Sequence, residues 1–334
     1  MHISQDGGPM YHWNPEGNPD LLLYGNVTDT CLMCHSSNGA FDYGEGYGPG
    51  GDFYWVTKTF SWTTSWGETQ TSQGDSHGHN VISGFFHINE DAVLAQAPGG
   101  NFLSSELVCT SCHDPHGNTN FRMLYDSTLG PRYQDGRFEF TADAPLARGN
   151  SFMSSAGSSG AESSSNHTVY KSGMSEWCAN CHGEMHSGHN SALLHTVDEP
   201  LGAQISAIYN AYVSTEDPSS GSQVSSYLGL VPFEAINVDL AAADPSNYTL
   251  GPEGADNVMC LSCHRSHASP FRDAGRWDFS ATNINLDSHP QITDTGASAS
   301  DVANRYYDYT FAENQKSLCN KCHVKDYGDL AVAP

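Results

Sequence analysis

Cys109-Thr110-Ser111-Cys112-His113 is one of five pentapeptides of the form Cys-x-x-Cys-His, and this repeated pattern decides how the chain folds. All ten cysteines of the 334-residue sequence fall in such pentapeptides. We number them motif 1 to motif 5 in chain order: Cys31-Leu32-Met33-Cys34-His35, Cys109-Thr110-Ser111-Cys112-His113, Cys178-Ala179-Asn180-Cys181-His182, Cys260-Leu261-Ser262-Cys263-His264 and Cys319-Asn320-Lys321-Cys322-His323.

The spacing within each motif predicts covalent attachment of a haem c. Two thiols three residues apart can bond to the two vinyl groups of one haem, and the following imidazole then reaches the iron from one face. A zinc site would not require a histidine after every cysteine pair, and a disulfide framework would space its cysteines irregularly. The predicted near-side iron ligands, which we call proximal, are His35, His113, His182, His264 and His323.

The composition predicts a fold that depends on these haems. Leu, Ile, Val and Phe make up only 58 of the 334 residues and the formal net charge is −25, a combination typical of a disordered chain. Five apolar macrocycles would supply the missing core. We therefore expect a single domain over residues 1–334, mostly irregular coil with a few short α-helices and minimal β-structure, built around a haem stack. We expect the apoprotein to be unfolded, and residues 151–165, rich in Ser and Gly, to form a surface loop.

Local patterns predict a small number of regular elements. Apolar spacing and start signals favour helices over residues 203–213, 219–230 and 313–323. The segment 51–60, rich in aromatic residues, favours a strand.

Charge and hydropathy restrict the partners. Only 13 Lys and Arg stand against 38 Asp and Glu, which disfavours nucleic acid and anionic membranes. No apolar stretch of about 18 residues is present, so we expect no membrane span. The polar start of the sequence does not resemble a secretion signal. Because haem is attached after export, we expect the sequence to be a mature product or a fragment of a secreted protein.

The seventeen histidines predict a second histidine on each iron, which we call distal. Met33, Met174, Met185 and Met259 lie near motifs, but the excess of histidine favours bis-histidine over His/Met ligation. His116, His186 and His267 follow a proximal histidine too closely to reach the far side of the same haem, so each is predicted to bind a neighbouring haem. His79 and His195 are also predicted distal ligands. We expect no ligand role for His12, His77, His87, His167, His189 and His289.

Several segments resemble the OmcS-type multihaem outer-surface cytochromes, which polymerise into extracellular electron-conducting filaments. The resemblance covers residues from about 50 to 326. It is most specific in Gly51 to Phe60, Gly78-His79-Asn80-Val81, Ala97-Pro98-Gly99-Gly100, Cys112 to Gly117, Gly173 to His182, Cys260 to Ser269 and Leu318 to Asp326.

The resemblance implies a sixth haem in the family, before the five motifs seen here. Met1-His2 is similar to the end of the family's first haem element, whose Cys-x-x-Cys-His would then be missing at the N-terminus. It also implies that His2 is donated to a haem of the adjacent subunit, for which His264 is the first choice. Whether the native subunit holds five or six haems stays open.

The sequence thus predicts a secreted, non-enzymatic electron-transfer protein at the outer cell surface, a homopolymer joined into a haem wire. Other cytochromes would donate electrons, and extracellular minerals, electrodes or cells would accept them. One alternative is a monomeric periplasmic shuttle. Another is a pentahaem enzyme resembling nitrite reductases, but that family marks its open haem with Cys-x-x-Cys-Lys, and all five motifs here end in His.

Overall fold

The structure is a computed structural model that describes residues 4–5, 8–9, 22–36, 41, 48–129, 138–149, 162–187, 195–307 and 309–324. Most of these residues lie in irregular chain, turns and bends. The five α-helices of this part are short: α1 Val27–His35, α2 Met174–Ser187, α3 Gly202–Ala211, α4 Ile284–Asp287 and α5 Ala299–Asn304. The predicted fold class, coil with few short helices, is confirmed.

The β-structure consists of antiparallel pairs of short strands. The strands are β1 Ser4–Gln5, β2 Gly8–Pro9, β3 Phe60–Thr63, β4 Thr69–Ser72, β5 Leu146–Arg148 and β6 Val169–Ser172. They pair as β1–β2, β3–β4 and β5–β6, with Phe60 opposite Ser72 in the second pair and a register shift after Leu146 in the third. No described sheet exceeds two strands, so sheets do not organise this fold.

Short 3₁₀-helices occur throughout the rest of the described chain. They cover Phe53–Thr57, Gly74–His77, Ser104–Glu106, Cys109–Ser111, Phe121–Met123, Gln223–Ser225, Cys260–Ser262, Arg272–Ala274 and Leu318–Lys321. Three of these turns carry motifs 2, 4 and 5, so 3₁₀ turns hold three motifs and α-helices hold two.

The predicted strand over residues 51–60 is wrong. The segment forms the 3₁₀-helix Phe53–Thr57, and extended pairing starts only at Phe60. The side chain of Asp52 accepts a hydrogen bond from the Tyr54 amide at 2.8 Å, which satisfies the start of a turn instead of a strand ladder. The consecutive residues Trp55 and Val56 are both buried, which an alternating strand would not allow.

The helix predictions had mixed outcomes. The helix over 203–213 is confirmed as α3. The helix over 219–230 is wrong, because only Gln223–Ser225 is helical there; the Asp217 carboxylate accepts the Ser220 amide at 3.0 Å and closes a local turn instead. The helix over 313–323 shrinks to the single turn Leu318–Lys321. The predicted loop at 151–165 lies outside the described residues except for its last four.

The apolar side chains form several separate clusters rather than one core. The largest surrounds Tyr209, Leu230 and Trp277, and Cys263, Cys319 and Cys322 pack against it. A second surrounds Trp55 and Phe60 and includes Leu32 of motif 1. Two smaller clusters contact Cys178 and Cys181. Each cluster therefore packs against one or two motifs, so the separate clusters are arranged around the motifs.

Candidate haem-attachment and iron-ligand sites

Each motif occupies about one helical turn. Motif 1 ends α1, motif 3 lies within α2, and motifs 2, 4 and 5 form 3₁₀ turns. In the last three, the histidine amide donates to the carbonyl of the first cysteine, from His113 at 3.2 Å, His264 at 3.0 Å and His323 at 2.9 Å. Positions i, i+3 and i+4 share one side of a helical turn. Both thiols and the imidazole therefore point to the same side of the chain, as haem c requires.

Backbone carbonyls fix the orientation of three proximal rings. The Nδ1 of His113 lies 2.9 Å from the Arg122 carbonyl oxygen, and that of His264 lies 2.6 Å from the Asp273 oxygen. The Nδ1 of His182 lies 2.9 Å from the Pro98 oxygen. A carbonyl only accepts hydrogen bonds, so each Nδ1 must carry the proton and each Nε2 keeps its lone pair. This is the arrangement that orients a histidine towards a metal.

A close backbone approach supports the His182 site. The loop that supplies the Pro98 carbonyl continues through Gly100, where an added Cβ would lie 1.7 Å from the Cys181 carbonyl oxygen. The Glu184 amide also donates to the Gly99 carbonyl at 2.8 Å. Glycine at position 100 therefore lets the loop contact motif 3 directly.

Three predicted distal histidines face proximal ones. The ring centres of His79 and His182 lie 6.0 Å apart, those of His113 and His267 lie 6.5 Å apart, and those of His195 and His323 lie 6.1 Å apart. A metal–nitrogen bond of about 2 Å on each side, plus about 1 Å from each nitrogen to its ring centre, gives about 6 Å. These separations fit one iron between each pair.

The distal rings are held in the same way as the proximal ones. His79 Nδ1 lies 2.7 Å from the Ser266 carbonyl oxygen, and His195 Nδ1 lies 2.9 Å from that of Thr196. His267 instead stacks on Phe53, with ring centres 4.5 Å apart. Burial lowers the pKa of His267 to about 3, so this imidazole is neutral at pH 7, the form that binds metals.

No imidazole of the described residues faces the ring of His35 or His264 in the way that the three pairs face each other. His116 is largely exposed, with its Nδ1 3.7 Å from Asp114. His186 Nε2 lies 2.5 Å from the Asp198 carboxylate. His2 lies outside the described residues. Their ligand roles stay predictions.

Other histidines are engaged in structural contacts. His77, two residues before His79, is buried between the Ser72 hydroxyl at 2.7 Å and the Trp55 carbonyl at 2.9 Å. His167 stacks on Tyr227 with ring centres 3.6 Å apart. Burial is the leading cause that lowers the pKa of both His77 and His167.

Successive motifs are neighbours. Cys31 hydrogen-bonds Cys109, and Cys178 hydrogen-bonds Cys260, which links motif 1 to motif 2 and motif 3 to motif 4. The two remaining links rest on direct contacts. Trp177 Nε1, next to motif 3, donates to the Tyr125 carbonyl at 2.8 Å, and the Tyr125 amide donates to the Cys112 carbonyl of motif 2 at 3.0 Å. Cys263 of motif 4 and the two cysteines of motif 5 pack against the same apolar cluster. The five motifs therefore follow one another in space in the order of the sequence.

The cysteines are free and grouped as haem c requires. No two of the ten cysteines, all of which the structure describes, are joined by a disulfide. Each pair is followed directly by its proximal histidine, so the donor set of every motif fits haem c.

Sequence reasoning missed a local structural repeat between motifs 2 and 4. In both, the carbonyl that holds the proximal ring belongs to a left-handed residue nine positions later, Arg122 with φ 53° and Asp273 with φ 58°. In both, the second cysteine carbonyl accepts an amide shortly after, from Tyr125 and from Arg276. The signal was visible as Cys-x-Ser-Cys-His-x-x-His in Cys109–His116 and Cys260–His267.

Five such turns, three of which have a second imidazole facing the proximal one at iron-binding separation, define a multihaem c-type cytochrome. The C-type cytochrome OmcS of Geobacter sulfurreducens is 32% identical over an alignment of 401 positions, which spans 98% of this chain and 91% of that protein. The chain belongs to the OmcS family of c-type cytochromes, and haem c is its cofactor. No protein-family model matches it.

Solved structures agree with this assignment. The chain is similar to the Outer Membrane Cytochrome S filament from Geobacter sulfurreducens, with a TM-score of 0.79 and 29% identity over 98% of this chain and 97% of that one. A structure of the OmcS nanowires from the same organism gives the same TM-score and coverage at 30% identity. Within the described residues, no helix is long and apolar enough to cross a membrane.

Proposed function

We propose that this protein carries electrons outside the cell and that its subunits polymerise into filaments in which the haems form one series. The observation that carries the proposal is the unbroken neighbour relation from motif 1 to motif 5, together with the facing imidazole pairs. Haems attached in this order would come near van der Waals contact, about 3.5–4 Å. The filaments formed by the relatives support the same assembly here.

The ligand pairs of the proposal are His182 with His79, His113 with His267, and His323 with His195. The repeat between motifs 2 and 4 adds a fourth pair: because His267 of motif 4 faces the proximal histidine of another motif, its counterpart His116 would serve His35. The iron bound by His264 would then take His2 of the adjacent subunit as its second ligand. His186 is not assigned to an iron and is kept as an additional candidate ligand.

The proposed cofactor content is one haem for each of the five motifs in the sequence, or six haems in a native subunit that also carries the family's first motif. Long-range contacts support a single domain for the whole chain. The Tyr54 hydroxyl donates to the Asp301 carboxylate at 2.8 Å, and Gly51 and Gly78 both form bridges to Ala268.

The proposed role is not enzymatic. An iron with two histidine ligands has no open position for a substrate, and it suits electron transfer at low potential. The proposed electron donors are other cytochromes at the cell envelope, and the proposed acceptors are minerals, electrodes or cells outside. The net charge of −25 disfavours nucleic acid as a partner.

Two measurements on the holoprotein, produced in a host that exports it and attaches haem, test this function. Cryo-electron microscopy should show filaments with one haem per motif in an unbroken series. Electron paramagnetic resonance of the oxidised protein should show low-spin iron throughout. A stoichiometric high-spin ferric signal with cyanide binding would favour a pentahaem enzyme, and haem-loaded monomers at all concentrations would favour a periplasmic shuttle.

A further inference from the structure

A buried ionic network lies directly behind motif 4. Glu162 is 2.9 Å from Arg265 Nη1 and 3.4 Å from Arg276 Nη1, and the three side chains are at most 5% exposed. Burial acts to raise the pKa of Glu162, but Arg276 and Arg265 outweigh it and hold that pKa below its usual value. The network therefore consists of two guanidinium cations and one carboxylate.

The network contains a donor without an acceptor. Arg265 Nη2 is buried and has no hydrogen-bond partner among the described residues. The hydroxyls of Tyr307 and Tyr309 are also buried and lie beside the side chains of Trp55 and Ser164, respectively. The Tyr307 ring lies against the guanidinium, 4.6 Å from Arg265 Cζ. A further buried carboxylate, Asp52, contributes to the charge around Tyr307 and accepts the Tyr54 amide. A buried unsatisfied cationic donor is costly unless an acceptor, best an anion, joins it.

The position of the network identifies that anion. Arg265 follows the proximal His264, and Arg276 Nε donates to the carbonyls of Leu261 at 2.6 Å and of His264 at 3.2 Å. Every haem carries two propionate carboxylates, and a guanidinium binds a carboxylate through paired hydrogen bonds. At the equivalent position of the motif 2 repeat stands Tyr125, so the second cation is specific to motif 4.

We propose that Arg265, assisted by Tyr307 and Tyr309, binds a propionate of the haem attached to Cys260 and Cys263, and that the Arg265–Glu162–Arg276 network sets the reduction potential of this haem. Reduction adds one electron to the haem, so nearby cations favour the reduced form and a nearby carboxylate opposes it. The two charge types of the network must therefore shift the potential in opposite directions, which a purely structural role would not produce. The proposal does not depend on filament formation.

The test is a spectropotentiometric titration of the holoprotein, fitted with five one-electron steps, after haem content has been measured. Arg265→Gln should move one step to lower potential by at least 59 mV, which corresponds to a tenfold change in a one-electron reduction equilibrium. Glu162→Gln should move the same step to higher potential. Arg265→Lys, which keeps the charge, should retain most of the wild-type value. Arg272→Gln removes an exposed guanidinium from the same segment and should leave all five steps unchanged.

Three outcomes would overturn the proposal. The first is that Arg265→Gln and Glu162→Gln shift the step in the same direction or not at all. The second is that Arg272→Gln shifts the same step as strongly. The third is that Arg265→Gln moves the step of a different haem. His195→Met should raise the step of the haem bound by His323, so the proposal fails if Arg265→Gln moves that same step. If Arg265→Gln does not accumulate, Arg265→Lys and Glu162→Gln still decide the question.

Discussion

The ring of His79 faces the ring of His182, with 6.0 Å between their centres, while its Nδ1 lies 2.7 Å from the carbonyl oxygen of Ser266. Three distant parts of the chain thus fix one imidazole: the segment that follows the turn Gly74–His77, helix α2, and the segment after motif 4. A ligand held this way has its tautomer and its direction set before it meets a metal. The neighbouring His77 also has its Nδ1 2.9 Å from a carbonyl oxygen, that of Trp55, but its Nε2 is already bound to the Ser72 hydroxyl at 2.7 Å and is not available to a metal.

Exchanging the distal ligand should change the potential of one haem. His79→Met would convert the proposed bis-histidine iron of His182 to His/Met ligation, which raises the reduction potential. We expect a positive shift of about 0.1 V or more in one of five steps, a modest part of the roughly 0.8 V that axial ligands span. Spectropotentiometric titration measures it.

The matched control is His77→Gln, two residues away. It removes a buried ring that contacts the Ser72 hydroxyl and the Trp55 carbonyl, and it should lower stability by about 1–3 kcal/mol. All five potentials should stay in place. If instead His77→Gln shifts one potential and His79→Met does not, the ligand of His182 has been assigned to the wrong histidine.

Removing one haem should cost more than removing any single core side chain. The double variant Cys260→Ala/Cys263→Ala prevents attachment at motif 4, against which the largest apolar cluster packs. Leu230→Ala truncates a fully buried residue of that cluster and should cost about 2–5 kcal/mol. Denaturant unfolding, or limited proteolysis if unfolding is irreversible, should rank the double variant as less stable. A compact, protease-resistant apoprotein would contradict a haem-dependent core.

The sequence predicted the fold class because the cysteine motifs and the scarcity of apolar residues exclude alternatives independently. The sequence-based predictions of helices and strands failed where hydrogen bonds from the backbone to a side chain override the local helix or strand propensity. Asp52 turned an aromatic, strand-like segment into a 3₁₀-helix, and Asp217 closed a turn where a helix was expected. In the site, the proximal histidines could be predicted because each one directly follows a cysteine. The pairing of His267 with His113 could not be predicted, because it depends on how motif 4 folds back towards motif 2.

The carbonyl acceptors were beyond sequence reasoning for a related reason. Arg122 and Asp273 orient the proximal rings with their backbone, not their side chains, and do so from left-handed conformations that are uncommon for residues other than glycine. Only the recurrence of the same turn after two motifs makes the feature recognisable. A side-chain motif in the sequence therefore identifies the iron ligands but not the backbone carbonyls that orient them.

Glu234 should make stability fall as pH rises through neutrality. Burial, and then the nearby Asp198 and Glu176, raise the pKa of this carboxyl from 4.5 to about 7, while one oxygen accepts the Met174 amide at 2.9 Å. The fold thus favours the protonated acid: its contribution is complete below about pH 4.5 and is lost as pH rises through about 7. Glu234→Gln should be more stable than wild type at pH 8, by up to about 3 kcal/mol, and nearly equal at pH 5.

Unfolding of the holoprotein at the two pH values measures this difference. Glu176→Gln is the matched control: it removes an exposed carboxyl from the same group of acids and should reduce the pH dependence only in part, because burial is the leading cause of the Glu234 shift. Equal pH dependence in wild type and Glu234→Gln would show that Glu234 is ionised in the fold at neutral pH.

The last prediction concerns assembly through His2. Within the described residues no imidazole faces His264, whose Nδ1 is nevertheless bound to the Asp273 carbonyl and whose Nε2 is thereby directed as in the paired sites. The family resemblance assigns the missing ligand to His2 of the adjacent subunit. A coordinate bond across the boundary would couple polymerisation to iron ligation. His2→Ala should therefore leave the subunit exported and haem-loaded, open one axial position per subunit, and weaken or abolish filaments.

Electron paramagnetic resonance and electron microscopy of the same preparation test both halves of this prediction. One new high-spin iron per subunit should appear together with the loss of filaments, because both would follow from one missing bond. His12→Ala is the matched control, an identical change at another N-terminal histidine, and should alter neither. Filaments of normal length with every iron still six-coordinate in His2→Ala would exclude the donated ligand. Normal ligation without filaments would give His2 a role in packing alone, since a ligand other than His2 would then have to occupy the iron of His264.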